Sequence, residues 1–147
     1  MRRLGYIRTS TGKQLCDRQI LALQTLCDEV FIESGVSATK KHRPIYEQVI
    51  KELQDGDVLI VSSFDRAFRS VIDALQELEK LKAKGVKFVS ISQNFDTRTE
   101  EGEFLYTIAI ALARWERRIL SRRTKEGLAA AKARGVKLGR PRKVKND

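Results

Sequence analysis

Histidine is almost missing from this chain. His42 is the only one in 147 residues, which removes most histidine-rich zinc sites and argues against a Ser-His-Asp triad. Cysteine is nearly as scarce: Cys16 and Cys27 lie eleven residues apart on an expected helix, beyond bridging distance there. They read as reduced thiols, which points to a cytoplasmic protein. No apolar run approaches the roughly 20 residues that span a bilayer. The start, Met1-Arg2-Arg3-Leu4-Gly5, is basic but lacks the apolar core of an export signal, so no membrane partner is expected. There is no Walker-type glycine loop and no carboxylate cluster suited to Mg²⁺, so neither metal nor nucleotide nor other cofactor is expected. The length suits one well-buried domain and not two ordinary ones.

What the chain has in quantity is positive charge, and it is unevenly placed. Residues 1–112 hold 16 Lys/Arg against 16 Asp/Glu, whereas residues 113–147 hold 13 against 3. The whole net charge of +10 therefore sits in the last 35 residues. A cationic arm on a neutral body points to a polyanionic partner bound with salt-sensitive affinity. A basic tail serving only solubility is the plainer alternative.

Along the chain, short apolar strands alternate with amphipathic helices. Leu4 to Ile7 reads as a strand, Asp17 to Cys27 as a helix capped by Asp17, and Val30 to Ile32 as a second strand. The segment from Ser34 to Lys41 is small, polar and loop-like, and Pro44 opens a helix striped by Ile45, Val49, Ile50 and Leu53. Val58 to Val61 is an unbroken apolar strand of the kind buried on both faces. Ser70 caps the next helix, with Val71, Ile72, Leu75, Leu78 and Leu81 on its stripe, and Gly85 ends it before the strand Lys87 to Ile91. The pattern predicts an α/β fold around a mainly parallel sheet flanked by helices.

The final element is one helix from about Glu103 to Arg134, near 48 Å long at about 1.5 Å per residue. Phe104, Leu105, Ile108, Leu112, Trp115 and Ile119 stripe its first half, which is expected to bury itself against the body or a second copy. Its second half is expected to project as a basic arm. The expected organisation is a core over residues 1–102, the long helix over 103–134 and an extended basic tail over 135–147. In that tail Gly139-Arg140-Pro141 suits a narrow minor groove, although the tripeptide alone is a weak signal.

Two stretches carry chemistry. Tyr6-Ile7-Arg8-Thr9-Ser10 and Asp65-Arg66-Ala67-Phe68-Arg69 each follow an apolar strand, and strand ends are where open α/β sheets bind ligands. A hydroxyl beside several guanidiniums suits a serine acting on a phosphate. With no histidine base, Arg8, Arg66 and Arg69 are the groups that would neutralise the phosphate and the charge of its transition state. Read singly, each residue has a plainer role. Ser10 serves as a turn cap, Asp65 and Arg66 as a structural ion pair, Arg43 as a solvated charge before Pro44, and Gln14 and Gln19 as surface groups.

Taken together, Y-x-R-x-S near the N-terminus and D-R-x-x-R some 55 residues later resemble the catalytic domain of the serine recombinases, the resolvases and DNA invertases. Asp17-Arg18-Gln19, Arg43, Asp96-Thr97, Glu116-Arg117 and Arg122-Arg123-Thr124 extend the resemblance over residues 2 to about 143. The resemblance implies a site-specific recombinase in which Ser10 forms a covalent 5′-phosphoserine with DNA, without metal or ATP. It implies that Arg8, Arg43, Arg66 and Arg69 bind and activate the phosphate, that Gln14 and Gln19 support the pocket, and that Asp65 positions an arginine or moves the leaving-group proton. It also implies a resolvase-like fold and double-stranded DNA as partner. Arg117, Arg122, Arg123, Lys125, Arg134, Arg140, Arg142 and Lys143 are then candidate DNA contacts. A homodimer pairing into a tetramer, associated with the nucleoid, is expected.

Two departures stand out. Ala67-Phe68 replaces the Leu-Gly common between the family's two arginines, and the sequence stops shortly after Gly139-Arg140-Pro141, where typical members continue into a helix-turn-helix domain that is absent in nature or trimmed. The second departure keeps open a non-catalytic, DNA-binding regulator that acts through mixed oligomers. A flavodoxin-like or receiver domain is disfavoured by the missing carboxylate cluster and the basic arm.

Overall fold

Val58-Leu59-Ile60-Val61 offers no polar residue to mark an outer face, and both of its faces are buried. In the computed structural model, which describes residues 1–9, 13–35, 42–137 and 139 (and no side chains of residues 13–16), this strand is β3 (Val58–Val61). Around it lie β1 (Arg3–Thr9), β2 (Glu29–Ser34), β4 (Lys87–Ser90) and β5 (Phe95–Asp96), in the order β2-β1-β3-β4-β5. The first four strands are parallel; β5 returns antiparallel on β4.

The helices are α1 (Lys13–Leu26), α2 (Pro44–Glu52), α3 (Phe64–Ala67), α4 (Val71–Ala83) and α5 (Glu100–Ala133). Strand alternation divides the core in two. On one face Leu4, Tyr6, Leu59, Val61 and Phe88 pack with Tyr46 and Val49 of α2 and Leu78 and Leu81 of α4. On the other, Ile7, Val58 and Ile60 pack with Leu23 and Ile20 of α1. Gly5 is needed where β1 meets this second layer, since a Cβ there would stand 2.9 Å from Cys27 Sγ and 3.2 Å from Val30 Cγ2.

Several expected boundaries shift. The helix expected from Asp17 begins at Lys13, so Asp17 lies inside α1 and caps nothing. Its first turn carries no acid that would mark it in the sequence. The strand expected to reach Ile91 ends at Ser90. Ser70 caps α4 as expected, its Oγ accepting the Asp73 amide at 3.1 Å.

The chain divides into two units, residues 1–110 and 111–147, and the 34 residues of α5 include part of each. Within the first unit, α5 docks through Tyr106, whose hydroxyl donates to the Leu78 carbonyl at 2.6 Å, and through Lys82 paired with Glu103. Gly102 permits that approach: a Cβ there would fall 1.8 Å from the Asp96 carbonyl oxygen. Of the apolar stripe expected to bury itself against the body or a second copy, Phe104, Leu105 and Ile108 are exposed in the first unit, where Tyr106 faces inward. Among the described residues no helix is long and apolar enough to cross a membrane.

Candidate active site

Alternation along β1 puts Leu4, Tyr6 and Arg8 on one face, so Arg8 emerges at the strand's end above the layer built by α2, α3 and α4. Its side chain is buried, and Nη2 donates to the main-chain carbonyl of Asp65 at 3.1 Å. The two motifs, 57 residues apart, therefore meet.

The second motif is a single turn, α3, with Ala67 and Phe68 directed into the core. Phe68 packs 5.9 Å from Phe64, 5.7 Å from Phe88 and 6.4 Å from Tyr46, ring centre to ring centre. These two apolar residues anchor the segment and leave Arg66 and Arg69 on its outer side, with a quarter and a third of their side chains exposed. The Asp65 carboxylate is largely exposed and lies 3.7 Å from Arg66 Nε. Arg8, Asp65 and Arg69 line one cleft of about 830 Å³, whose floor is Phe64, Phe68 and Leu75.

Arg43 takes a different position from the solvated one its sequence context allows. It is 3% exposed. Nη1 donates to the Ala67 carbonyl, Nη2 lies 3.8 Å from Asp73, and the guanidinium stands 4.7 Å from the centre of the Tyr46 ring. Below it, the Tyr6 hydroxyl donates to Glu33 at 2.6 Å, and Tyr46 donates to Glu77 at 3.2 Å. Burial, and then Glu33, push the Tyr6 phenol above its ordinary range, while Arg43 opposes the shift. Burial is also the largest cause of the upward shift at Tyr46, followed by Glu77. Both phenols therefore act as donors.

Ser10 lies outside the described residues, as do Arg140, Arg142 and Lys143, and so does the side chain of Gln14. Gln19 lies on α1 with its Oε1 buried and without a hydrogen-bond partner among the described residues. Asp96 and Thr97 hold the turn before α5: Asp96 is bound by Arg98, which lowers its pKa, and Thr97 Oγ1 accepts the Phe88 amide at 2.8 Å.

Residues 3–137 match the family model described as Resolvase, N terminal domain. The chain belongs to this family, the serine recombinases. It is 40% identical over 141 residues to a probable DNA-invertase of Sinorhizobium fredii, an alignment covering 95% of this chain and 46% of that protein. It is 37% identical over 142 residues to the serine recombinase gin of Escherichia phage Mu, covering 96% and 73%. The chain thus spans about half the length of the first relative and nearly three quarters of the second. Among solved structures, the N-terminal catalytic domain of TP901-1 integrase superposes with a TM-score of 0.66 at 25% identity, over 81% of this chain and 98% of that one.

In this serine recombinase domain four of the expected DNA-contacting cations lie on the second half of α5. Arg117, Arg122, Arg123 and Lys125, with Arg134 just after the helix, are exposed. Arg118, Arg122, Lys125 and Lys132 fall at helical spacing on one face. Sequence reasoning missed Asp73, Glu33 and Tyr46, which with the motif residue Tyr6 organise Arg43 and its surroundings. One signal for Asp73 was present: Ser70-x-x-Asp73 has capping-box spacing at the start of α4.

Proposed function

We propose that this chain is the catalytic domain of a site-specific recombinase that cuts and rejoins double-stranded DNA through a 5′-phosphoserine. The Ser10 hydroxyl attacks a backbone phosphorus. The Oγ–P bond forms, the P–O3′ bond breaks, the serine proton is lost, and the leaving 3′ oxygen takes up a proton. After exchange of strands the 3′-hydroxyl attacks the phosphoserine and restores both alcohols. The energy of the broken ester is kept in the serine ester, so the cycle needs no nucleotide, and the guanidiniums supply the positive charge that a metal would otherwise bring.

Arg8, Arg66 and Arg69 are the phosphate ligands in this reading, Gln14 and Gln19 complete the pocket, and Asp65 takes part at the leaving oxygen. Arg43 serves the same site from beneath. Arg117, Arg122, Arg123, Lys125 and Arg134 contact the DNA backbone along α5, continued by Arg140, Arg142 and Lys143 in the tail. The uncovered apolar residues of α5 would be buried by a second copy, giving a dimer that pairs into a tetramer at synapsis. The observation that carries the reading is the Arg8–Asp65 hydrogen bond, which assembles both cationic motifs at one strand end, two residues in sequence before Ser10.

The test is covalent capture. Supercoiled DNA bearing crossover sites, incubated with the protein in EDTA and without ATP, is expected to yield protein-linked 5′ ends. Ser10→Ala should abolish the adduct and retain DNA binding. Binding by the unaltered protein with no adduct on any such DNA would overturn the recombinase reading and leave the regulator.

A further inference from the structure

Asp73 belongs to neither motif, yet it touches two of the site's arginines. It is the third residue of α4, and its own amide is held by Ser70 Oγ. That cap turns its carboxylate back over the helix start. There Oδ2 accepts the Arg69 main-chain N–H at 2.9 Å and lies 3.7 Å from Arg69 Nε and 3.8 Å from Arg43 Nη2. Among the described residues no other carboxylate pairs with both.

The charges explain why such a group is needed. Arg43 is buried, and a buried guanidinium without a counter-charge is strongly unfavourable. Arg69, a few ångströms across the same carboxylate, would repel it. One anion between them removes the repulsion and fixes both. It engages Arg69 from the Nε side, which leaves the Nη edge of that guanidinium clear of this carboxylate and able to meet an incoming anion. We infer that Asp73 is a positioning residue: it aims Arg69 at the scissile phosphate and keeps Arg43 turned onto the Ala67 carbonyl, beneath the second motif. This rests on the reading of Arg69 as a phosphate ligand.

The experiment has one arm without DNA and one with it. In ¹⁵N-arginine spectra of the free protein, Asp73→Asn should shift the Nε–Hε resonances of Arg69 and Arg43, each assigned by its own Arg→Lys variant. An Asn oxygen can still accept the Arg69 amide, so a thermal melt with one cooperative transition is expected to show the variant folded. On saturating DNA, Asp73→Asn should slow single-turnover adduct formation on the order of 10²-fold, the scale of a misaimed group. DNA affinity should stay nearly constant, and Asp73→Glu should restore part of the rate. Unmoved arginine resonances would overturn the positioning role whatever the DNA result, as would an unchanged adduct rate beside an active parent. If the parent itself made no adduct, the functional reading would fail, while shifted resonances would still support the brace.

Discussion

Arg8 Nη2 holds the Asp65 carbonyl at 3.1 Å, so the end of β1 and the turn α3 form one construction rather than two neighbouring ones. A guanidinium does this because its donors point in several directions and can serve several acceptors at once. An ammonium is a single point. Arg8→Lys is therefore expected to keep the charge and lose the geometry. Adduct formation should fall on the order of 10²-fold, with a stability loss of about 1 kcal/mol from the missing hydrogen bond. Single-turnover kinetics and urea unfolding measure the two effects separately. An Arg8→Lys variant as fast as its parent would mean that the contact is merely structural.

The cations of α5 make a prediction that does not depend on catalysis. Arg122 and Lys125 are exposed and fall on one helix face, where DNA lying along the helix would meet both. Each phosphate contact contributes about 0.9 to the slope of log K against log salt. Arg122→Ala with Lys125→Ala should flatten that slope by about 1.8. Titrations at several salt concentrations, with Ser10→Ala to prevent cleavage, give the number directly; an unchanged slope removes this face from the DNA interface.

The parts of the fold that the sequence disclosed are those set by local pattern. Val58–Val61 is uniformly apolar because both faces are covered, and Ser70 announces α4 because its hydroxyl satisfies an amide three residues on. What it concealed depends on partners far along the chain. α3 is four residues long and is held by the rings of Phe64 and Phe68, and β5 is a two-residue strand fixed by pairing with β4 and by Phe95 packing on Phe64 and Phe88. Arg43 reads as a solvated charge beside Pro44, yet it is buried because Ala67 and Asp73, 24 and 30 residues later, supply its acceptors. The cationic motifs were legible as residue types; the carboxylates that arrange them were not.

The close fit of Gly5 against Cys27 gives a packing prediction. Gly5→Ala would press a methyl to 2.9 Å from the sulfur, closer than such atoms sit, at a cost of about 1–3 kcal/mol. Because the obstacle is a side chain, Cys27→Ala in the same molecule should recover much of the loss, which a double-mutant cycle in urea would show. Burial pushes the Cys27 thiol up to about 11, so it should also alkylate slowly at pH 8. Peptide mapping after brief iodoacetamide treatment would reveal this, and rapid labelling at Cys27 would contradict the buried environment.

Asp57 offers a test by pH. Its carboxylate accepts the Arg2 amide at 2.8 Å, the Gln54 amide at 3.1 Å and the Arg2 guanidinium, and these bonds hold its pKa below the ordinary carboxylate value. A depressed folded-state pKa means that the unfolded chain binds the proton more readily. The stabilisation is therefore complete above the ordinary carboxylate pKa and disappears as pH falls through the lowered one. Asp57→Asn should be less stable than the parent at pH 6, and the two should converge in acid. A gap that stayed constant down to pH 2 would locate the effect in packing instead.

The Tyr6–Glu33 pair tests whether the buried polar layer beneath Arg43 is structural support. Tyr6 donates at 2.6 Å to a carboxylate 1% exposed, whose other oxygen has only a long contact, 3.4 Å, from the Ile45 amide. Removing the hydroxyl strands an acceptor where water does not reach, so Tyr6→Phe should cost about 1.5–3 kcal/mol, the range for a hydrogen bond to a charged group. Glu33→Gln should cost less, since an amide oxygen still accepts from Tyr6. The double variant should lose less than the sum of the two, because the second change removes the charge that the first leaves unpaired. Urea unfolding of the four proteins decides this, and strict additivity would show that Tyr6 and Glu33 do not act as one unit. Tyr6 lies two residues before Arg8 on the same face of β1, so a loosened pair should also lower the adduct rate more than it lowers DNA affinity.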